Sequence, residues 1–340
     1  MNRVTLSFLA GTLFVTVFCC SSPAQESDWQ RLMNEAQNAD RRGDYLDAAR
    51  LLGLALKEAE ELEPEGRLVA LTANYLATAR ASLGQAADAE QLYQRSLRIY
   101  RRLRGSEHPD VAFVLSNLGV TYEEMGQYRK ARELQVESRA IFSKVLGPDC
   151  MEVAETENRL VELLVLQHNY REAEPLALHA LDILGKSLGA DDHKMLAALQ
   201  NLAVLRQGQG RYQEAVLLFE RLLAVLERKM GAEHPFLIRA LNNVASAYSA
   251  LGRCEEAEAA FRRALSIAEK TLGPSHPDTG TVMHNFAALL RRAKRKEEAG
   301  RLEAQSRIIL NAYARRNASA FAVDIGDLTA SHRASPRPNP

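Results

Sequence analysis

Cysteine is scarce in this chain: four in 340 residues, two of which, Cys19 and Cys20, fall within the first twenty. That is too few for a scaffold stapled by disulfides. An excess of either charge is also missing, with 43 basic and 43 acidic residues. A nucleic-acid binder needs a basic surface to displace counterions, so this balance argues against one. No Gly-rich phosphate loop, His-Glu-x-x-His helix, nucleophile elbow or Cys-x-x-Cys pair occurs. The chain therefore carries no signature of nucleotide, zinc-hydrolase or acyl-transfer chemistry, and no cofactor or metal is expected.

What is present first is an export-like start. Met1-Asn2-Arg3 is basic, Val4 to Phe18 is an uncharged apolar run, and Ser22-Pro23-Ala24 supplies small residues for cleavage after Ala24. This is the layout of a secretory signal peptide over 1–24, with a periplasmic or secreted product. Two other readings keep the chain at a membrane. The apolar run could be a retained anchor, although it is short against the roughly 20 residues that span a bilayer. Cys19 or Cys20 could carry lipid, although bulky Phe18 suits a lipoprotein signal poorly.

Beyond the start, one interval dominates. Ala89, Ala131, Ala173, Ala215, Ala257 and Ala299 are each 42 residues after the last, and Gly105, Gly147, Gly189, Gly231 and Gly273 keep the same beat. A fixed period of this length marks a solenoid whose units pack only on their neighbours. Within each period apolar residues recur at helical spacing, as Val114, Leu118 and Tyr122 do. A Gly-x-Tyr turn (Gly126-Gln127-Tyr128, Gly210-Arg211-Tyr212) splits the period into helices A and B. Gly-x-x-His-Pro then reads as a helix stop followed by a helix start. His108, His234 and His276 before those prolines are expected to cap helices, and they lie too far apart to share a metal ion. In such a stack Cys150 and Cys254 are about five helices apart, beyond disulfide reach.

Small residues repeat where helices must approach closely. Ala77, Gly119, Val161, Ala203, Ala245 and Ala287 share one helix-A position, and the six alanines share one helix-B position. The residue before the helix-A position is always large and apolar: Leu76, Leu118, Leu160, Leu202, Val244 and Phe286. These columns predict one continuous core.

Leu118-Gly119 with Tyr122, the Gly-x-Tyr turn and the helix-B alanine together resemble the tetratricopeptide repeat. The 42-residue length and the Leu-Gly-x-x-His-Pro connector are similar to those of kinesin light chains. The resemblance implies an all-α, right-handed solenoid of about seven helical hairpins. Residues 25–66 form a first, divergent repeat, 67–314 form six 42-residue repeats, and 315–340 read as a disordered tail. In the last repeat Lys294-Arg295-Lys296 replaces Gly-x-Tyr, as suits a polar capping unit.

The same resemblance implies a protein-interaction scaffold without catalysis, binding an extended peptide or partner protein in a concave groove lined by the A helices. Helical spacing puts Asn74, Ser116, Asn158, Gln200, Asn242 and His284 on that lining, all polar. Directly after them stand Tyr75, Asn117, Arg159, Asn201, Asn243 and Asn285. In kinesin light chains the asparagine of this second column helps hold a peptide backbone, and an amide carries the matching donor and acceptor. Tyr75 and Arg159 break that pattern. The asparagines could equally serve the fold by bonding neighbouring helices. Arg239 and Arg291 lie on the same stripe, where guanidinium groups would suit an acidic peptide or a free C-terminus. Glu155 and Glu162 lie on it in the third repeat. The basic run from Arg291 to Lys296 is expected to be an exposed helix end and turn.

Overall fold

The structure, a computed structural model, describes residues 23–189 and 191–317. The expected signal segment up to Ser22 and the tail from residue 318 lie outside the described residues. Among those described, fourteen helices and no strand occur. They form two compact units that divide between Pro148 and Asp149.

The first unit holds three hairpins: α1 (Pro23–Arg41) with α2 (Tyr45–Leu62), α3 (Arg67–Ser82) with α4 (Ala86–Arg104), and α5 (Pro109–Glu124) with α6 (Tyr128–Leu146). The second holds four. They are α7 (Met151–Leu166) with α8 (Tyr170–Ser187), α9 (His193–Gly208) with α10 (Tyr212–Met230), α11 (Leu237–Ala250) with α12 (Cys254–Thr271), and α13 (Pro277–Arg292) with α14 (Lys296–Asn317). Odd-numbered helices are the A helices of the sequence pattern, even-numbered the B helices.

Every A-to-B turn closes in the same way. The residue at the turn takes positive φ, from 57° at His168 to 78° at Gly252, and the next N–H reaches back to a carbonyl five residues earlier. Gln127 N–H to the Tyr122 carbonyl at 2.8 Å and Arg253 N–H to the Tyr248 carbonyl at 3.0 Å are examples. This is the six-to-one bond of a Schellman cap, which satisfies a carbonyl that the helix end would leave open. His168 (φ 57°) and Lys294 (φ 62°) occupy that left-handed position without being glycine. The turn of the last hairpin thus survives the loss of its Gly-x-Tyr signature. The geometry is imposed by packing on both sides, at the steric cost a Cβ carries there.

B-to-A connectors combine a glycine and a cap. Gly105, Gly231 and Gly273 take φ from 84° to 90° as helix B ends. Nδ1 of His108 accepts the Asp110 N–H at 3.2 Å, His276 accepts from Asp278 at 3.2 Å, and His234 from Phe236 at 3.3 Å. His108 and His276 are the N-caps of α5 and α13, as their place in the motif suggested, while His234 makes the same bond ahead of α11, whose N-cap is Phe236.

The columns read from the sequence build the core of each unit. The helix-B alanines from Ala89 to Ala299 are wholly buried, as are Ala77, Val161, Ala203, Ala245 and Ala287 of the A helices. At Gly119 a Cβ would meet the Gln135 side-chain nitrogen at 2.7 Å, so a side chain there would have to displace the Gln135 amide. Cys150 and Cys254 are free thiols. No helix among the described residues is long and apolar enough to cross a membrane.

Candidate partner-binding face

Successive A helices touch each other directly within each unit, α3 with α5 and then α7 with α9, α9 with α11 and α11 with α13. That closeness brings the two polar columns of the A helices within bonding reach, and they bond to one another. Asn117 Nδ2 donates to Asn74 Oδ1 at 3.2 Å in the first unit. In the second, Asn201 Nδ2 donates to Asn158 Oδ1 at 2.9 Å, and Asn285 Nδ2 to Asn242 Oδ1 at 3.0 Å. Each rung joins residues 43 apart, one period plus one position. Asn243 is drawn in differently, its Oδ1 lying 3.4 Å from Nδ2 of Asn242.

The sequence left these asparagines open between lining a groove and bonding neighbouring helices, and the structure gives several of them bonds between helices. Asn74 and Asn242 are buried between A helices as rung acceptors. Ser116 turns toward its own hairpin, donating to Gln135 Oε1 on α6 at 3.1 Å. Asn117, Asn158, Gln200, Asn201, Asn243 and Asn285 are half-buried, and His284 and Arg239 are exposed. Among the described residues no further A helix follows α13 to cover His284. A rung consumes one amide N–H, and an asparagine amide offers two, with two lone pairs on its oxygen. Fold role and ligand role are therefore compatible for the half-buried members.

The charged groups on the same face are tied within the protein. Arg291 pairs with Glu303 of α14, and Glu155 of α7 pairs with Lys194 of α9. In the basic run, Arg292 donates to Ser249 at 3.2 Å and Arg295 to Glu258 at 2.7 Å. The run is a turn stitched to the preceding hairpin. The reach of Arg291 toward an acidic ligand is reduced accordingly, since Glu303 lay on the other helix and its approach was not visible in linear order.

Polar links also cross from B helices to the next A helix. Arg206 of α9 is buried and bonds Glu174 of α8, whose carboxyl is held below its ordinary pKa chiefly by that hydrogen bond. Burial, and then its hydrogen bond to Glu220, push the Tyr248 phenol up to about 12. No group of His, Cys, Asp and Glu among the described residues is arranged to hold a metal ion.

The repeat columns, turns and rungs define a helical-repeat protein. The tetratricopeptide repeat model matches residues 68–144, 152–228 and 236–309, and the chain belongs to that family. A P. anserina protein assigned as a kinesin light chain with nearly identical TPR-like repeats is 24% identical, with a TM-score of 0.51 over 61% of this chain and 98% of its own. A tetratricopeptide repeat protein from Parabacteroides merdae is 16% identical, with a TM-score of 0.56 over 90% of this chain and 100% of its own. A Rap protein complexed with Competence and Sporulation Factor is 15% identical, with a TM-score of 0.54 over 86% of this chain and 98% of its own. At these identities the likeness is one of fold. No curated protein matches the chain.

Proposed function

We propose that the chain is a non-catalytic scaffold that holds an extended peptide segment or partner protein along the A-helix face of its hairpins. The observation carrying this reading is the amide column: half-buried asparagines held in register by their rungs, each with donor and acceptor capacity to spare. A peptide bond offers the matching pair, so such a column suits a backbone laid across it. Rungs that fix the side chains beforehand also lower the entropy lost on binding. A protein of like fold in complex with Competence and Sporulation Factor is consistent with this use of the architecture. A cavity between α1, α2 and α3 measures about 10 Å³, room for a water, and a more open hollow of about 570 Å³ lies against α3 and α4.

The reading is tested with a photo-crosslinking residue at Ala197, exposed on α9, against one at Leu217, exposed on α10. Adducts of a discrete partner from position 197 and none from 217 are expected. Equal labelling from both positions, or from 217 alone, would refute it. We further infer export through the segment ending at Ala24. Mass spectrometry of the native N-terminus should find Gln25, whereas a lipid-bearing Cys20 or an intact Met1 would move the scaffold to a membrane as an envelope assembly factor.

A further inference from the structure

Glu157 of α7 stands where the repeat asks for an apolar side chain. Its companions in register are Ala73, Leu115, Leu199, Leu241 and Met283, all in the core. The Glu157 side chain is fully buried, and a lone carboxylate there would be severely unfavourable. The group that answers it is His179 of α8. Its Nδ1 lies 2.7 Å from Glu157 Oε2, and its Nε2 lies 3.2 Å from Oδ1 of Asp149, in the connector entering α7. A neutral imidazole has one N–H and can donate to one carboxylate, whereas the imidazolium can donate to both.

The rest of the molecule shows how unusual this arrangement is. At the position of His179, the repeats two periods away on either side carry permanent cations, with Arg95 2.5 Å from Glu60 and Arg263 2.5 Å from Glu227, while the preceding repeat carries Glu137. Connector acids elsewhere bind a base near the end of helix B, as in Glu107 with Lys144 at 2.6 Å and Glu233 with Lys270 at 2.8 Å. Lys186 is the corresponding base after Asp149, yet it pairs with Asp182 at 2.5 Å. Asp149 keeps a through-space attraction to Lys186, and its hydrogen bond is to the histidine.

We propose that His179 is a proton-operated latch. When charged it ties α8 both to the buried carboxylate of α7 and to the connector, and when neutral it releases Asp149 and loosens the first hairpin of the second unit. The charged groups around it are accounted for. Glu157 faces it from α7 and Asp149 from the connector. On α8, Glu172 accepts from Asn169 at 2.7 Å and Asp182 holds Lys186. On α7, Glu155 holds Lys194 of α9, and Glu152 lies beside Cys150. Burial alone would lower the pKa of the imidazole; the bonds and charges of Glu157 and Asp149 outweigh it, and the net displacement is upward. A pKa raised on folding contributes stability that is complete below the ordinary histidine value of about 6.5 and disappears as pH rises through the folded value. The latch does not depend on the partner-binding proposal.

The test is thermal unfolding of the full chain and of H179Q between about pH 6 and about pH 9. Glutamine keeps a hydrogen-bonding end and cannot be charged, and the remaining histidines are common to both proteins. The Tm advantage of the wild type over H179Q should shrink by about 2–4 °C across that range. A difference that does not change with pH would overturn the latch. Imidazole nitrogen NMR of the unsubstituted protein gives a second reading that needs no variant. Both ring nitrogens of His179 should carry protons at about pH 6, and a single neutral tautomer there would be equally fatal.

Discussion

The hairpins α7–α8 and α11–α12 have the same skeleton and differ in what fills it. Both cross at a buried helix-B alanine, Ala173 or Ala257, and both bury the large apolar residue of helix A, Leu160 or Val244. One turn earlier on helix A they part. Leu241 is an ordinary core side chain, while its counterpart Glu157 is a carboxylate bonded to His179. Arg263, the counterpart of His179, makes a partly exposed pair with Glu227. The A-to-B turn differs as well, with Gly252 in one and His168 in the other. The crossing alanine and the large apolar column therefore specify the hairpin, and the adjoining column can carry charge wherever its neighbour supplies the opposite one.

This contrast can be broken most sharply at the buried pair. His179→Ala should lower unfolding stability by about 3 kcal/mol at mildly acidic pH, the low end for a disrupted buried pair because the imidazole is partly exposed. Arg263→Ala should cost under about 1 kcal/mol, since its pair is screened. Urea midpoints that fall equally would erase the distinction drawn here. Next in size, Ala173→Leu and Ala257→Leu should each cost about 2 kcal/mol by overpacking. Unequal losses in calorimetry would mean that the crossing is not shared after all. Converting the first hairpin toward the second with Glu157→Leu and His179→Gln together should raise stability by about 1 kcal/mol, because packed apolar side chains commonly match or surpass a buried pair. A destabilised double variant would show that the pair supports the fold outright. The smallest effect is expected from His168→Gly, a gain of about 0.5 kcal/mol. Release of left-handed strain slightly exceeds the added freedom of the unfolded chain, and the 2.7 Å contact of His168 with Tyr170 is given up.

Much of this architecture was legible from residue types alone, because close helix crossings tolerate few side chains. The alanine column, the large apolar column and the histidine caps all follow from steric or hydrogen-bonding demands local to one or two turns. The polar lining was harder. Asn74 and Asn117 were visible as columns, yet nothing in a column tells whether an amide faces outward or meets the amide of the next helix. The distance between adjacent A helices decides that, and only packing fixes it. The partner of Arg291 was hidden for a related reason, since Glu303 approaches from the other arm of the hairpin. Glu157 was the one strong signal left unread. A glutamate among Ala73, Leu115, Leu199, Leu241 and Met283 marks a buried charge as soon as the repeats are stacked.

Because every asparagine rung links a residue to one a single period and one position further on, the protein keeps its own ruler. Within the second unit, cutting out residues 193–234 would splice helix to helix with phase intact and set Asn243 where Asn201 now meets Asn158. Length within that unit is therefore an adjustable dimension of the molecule.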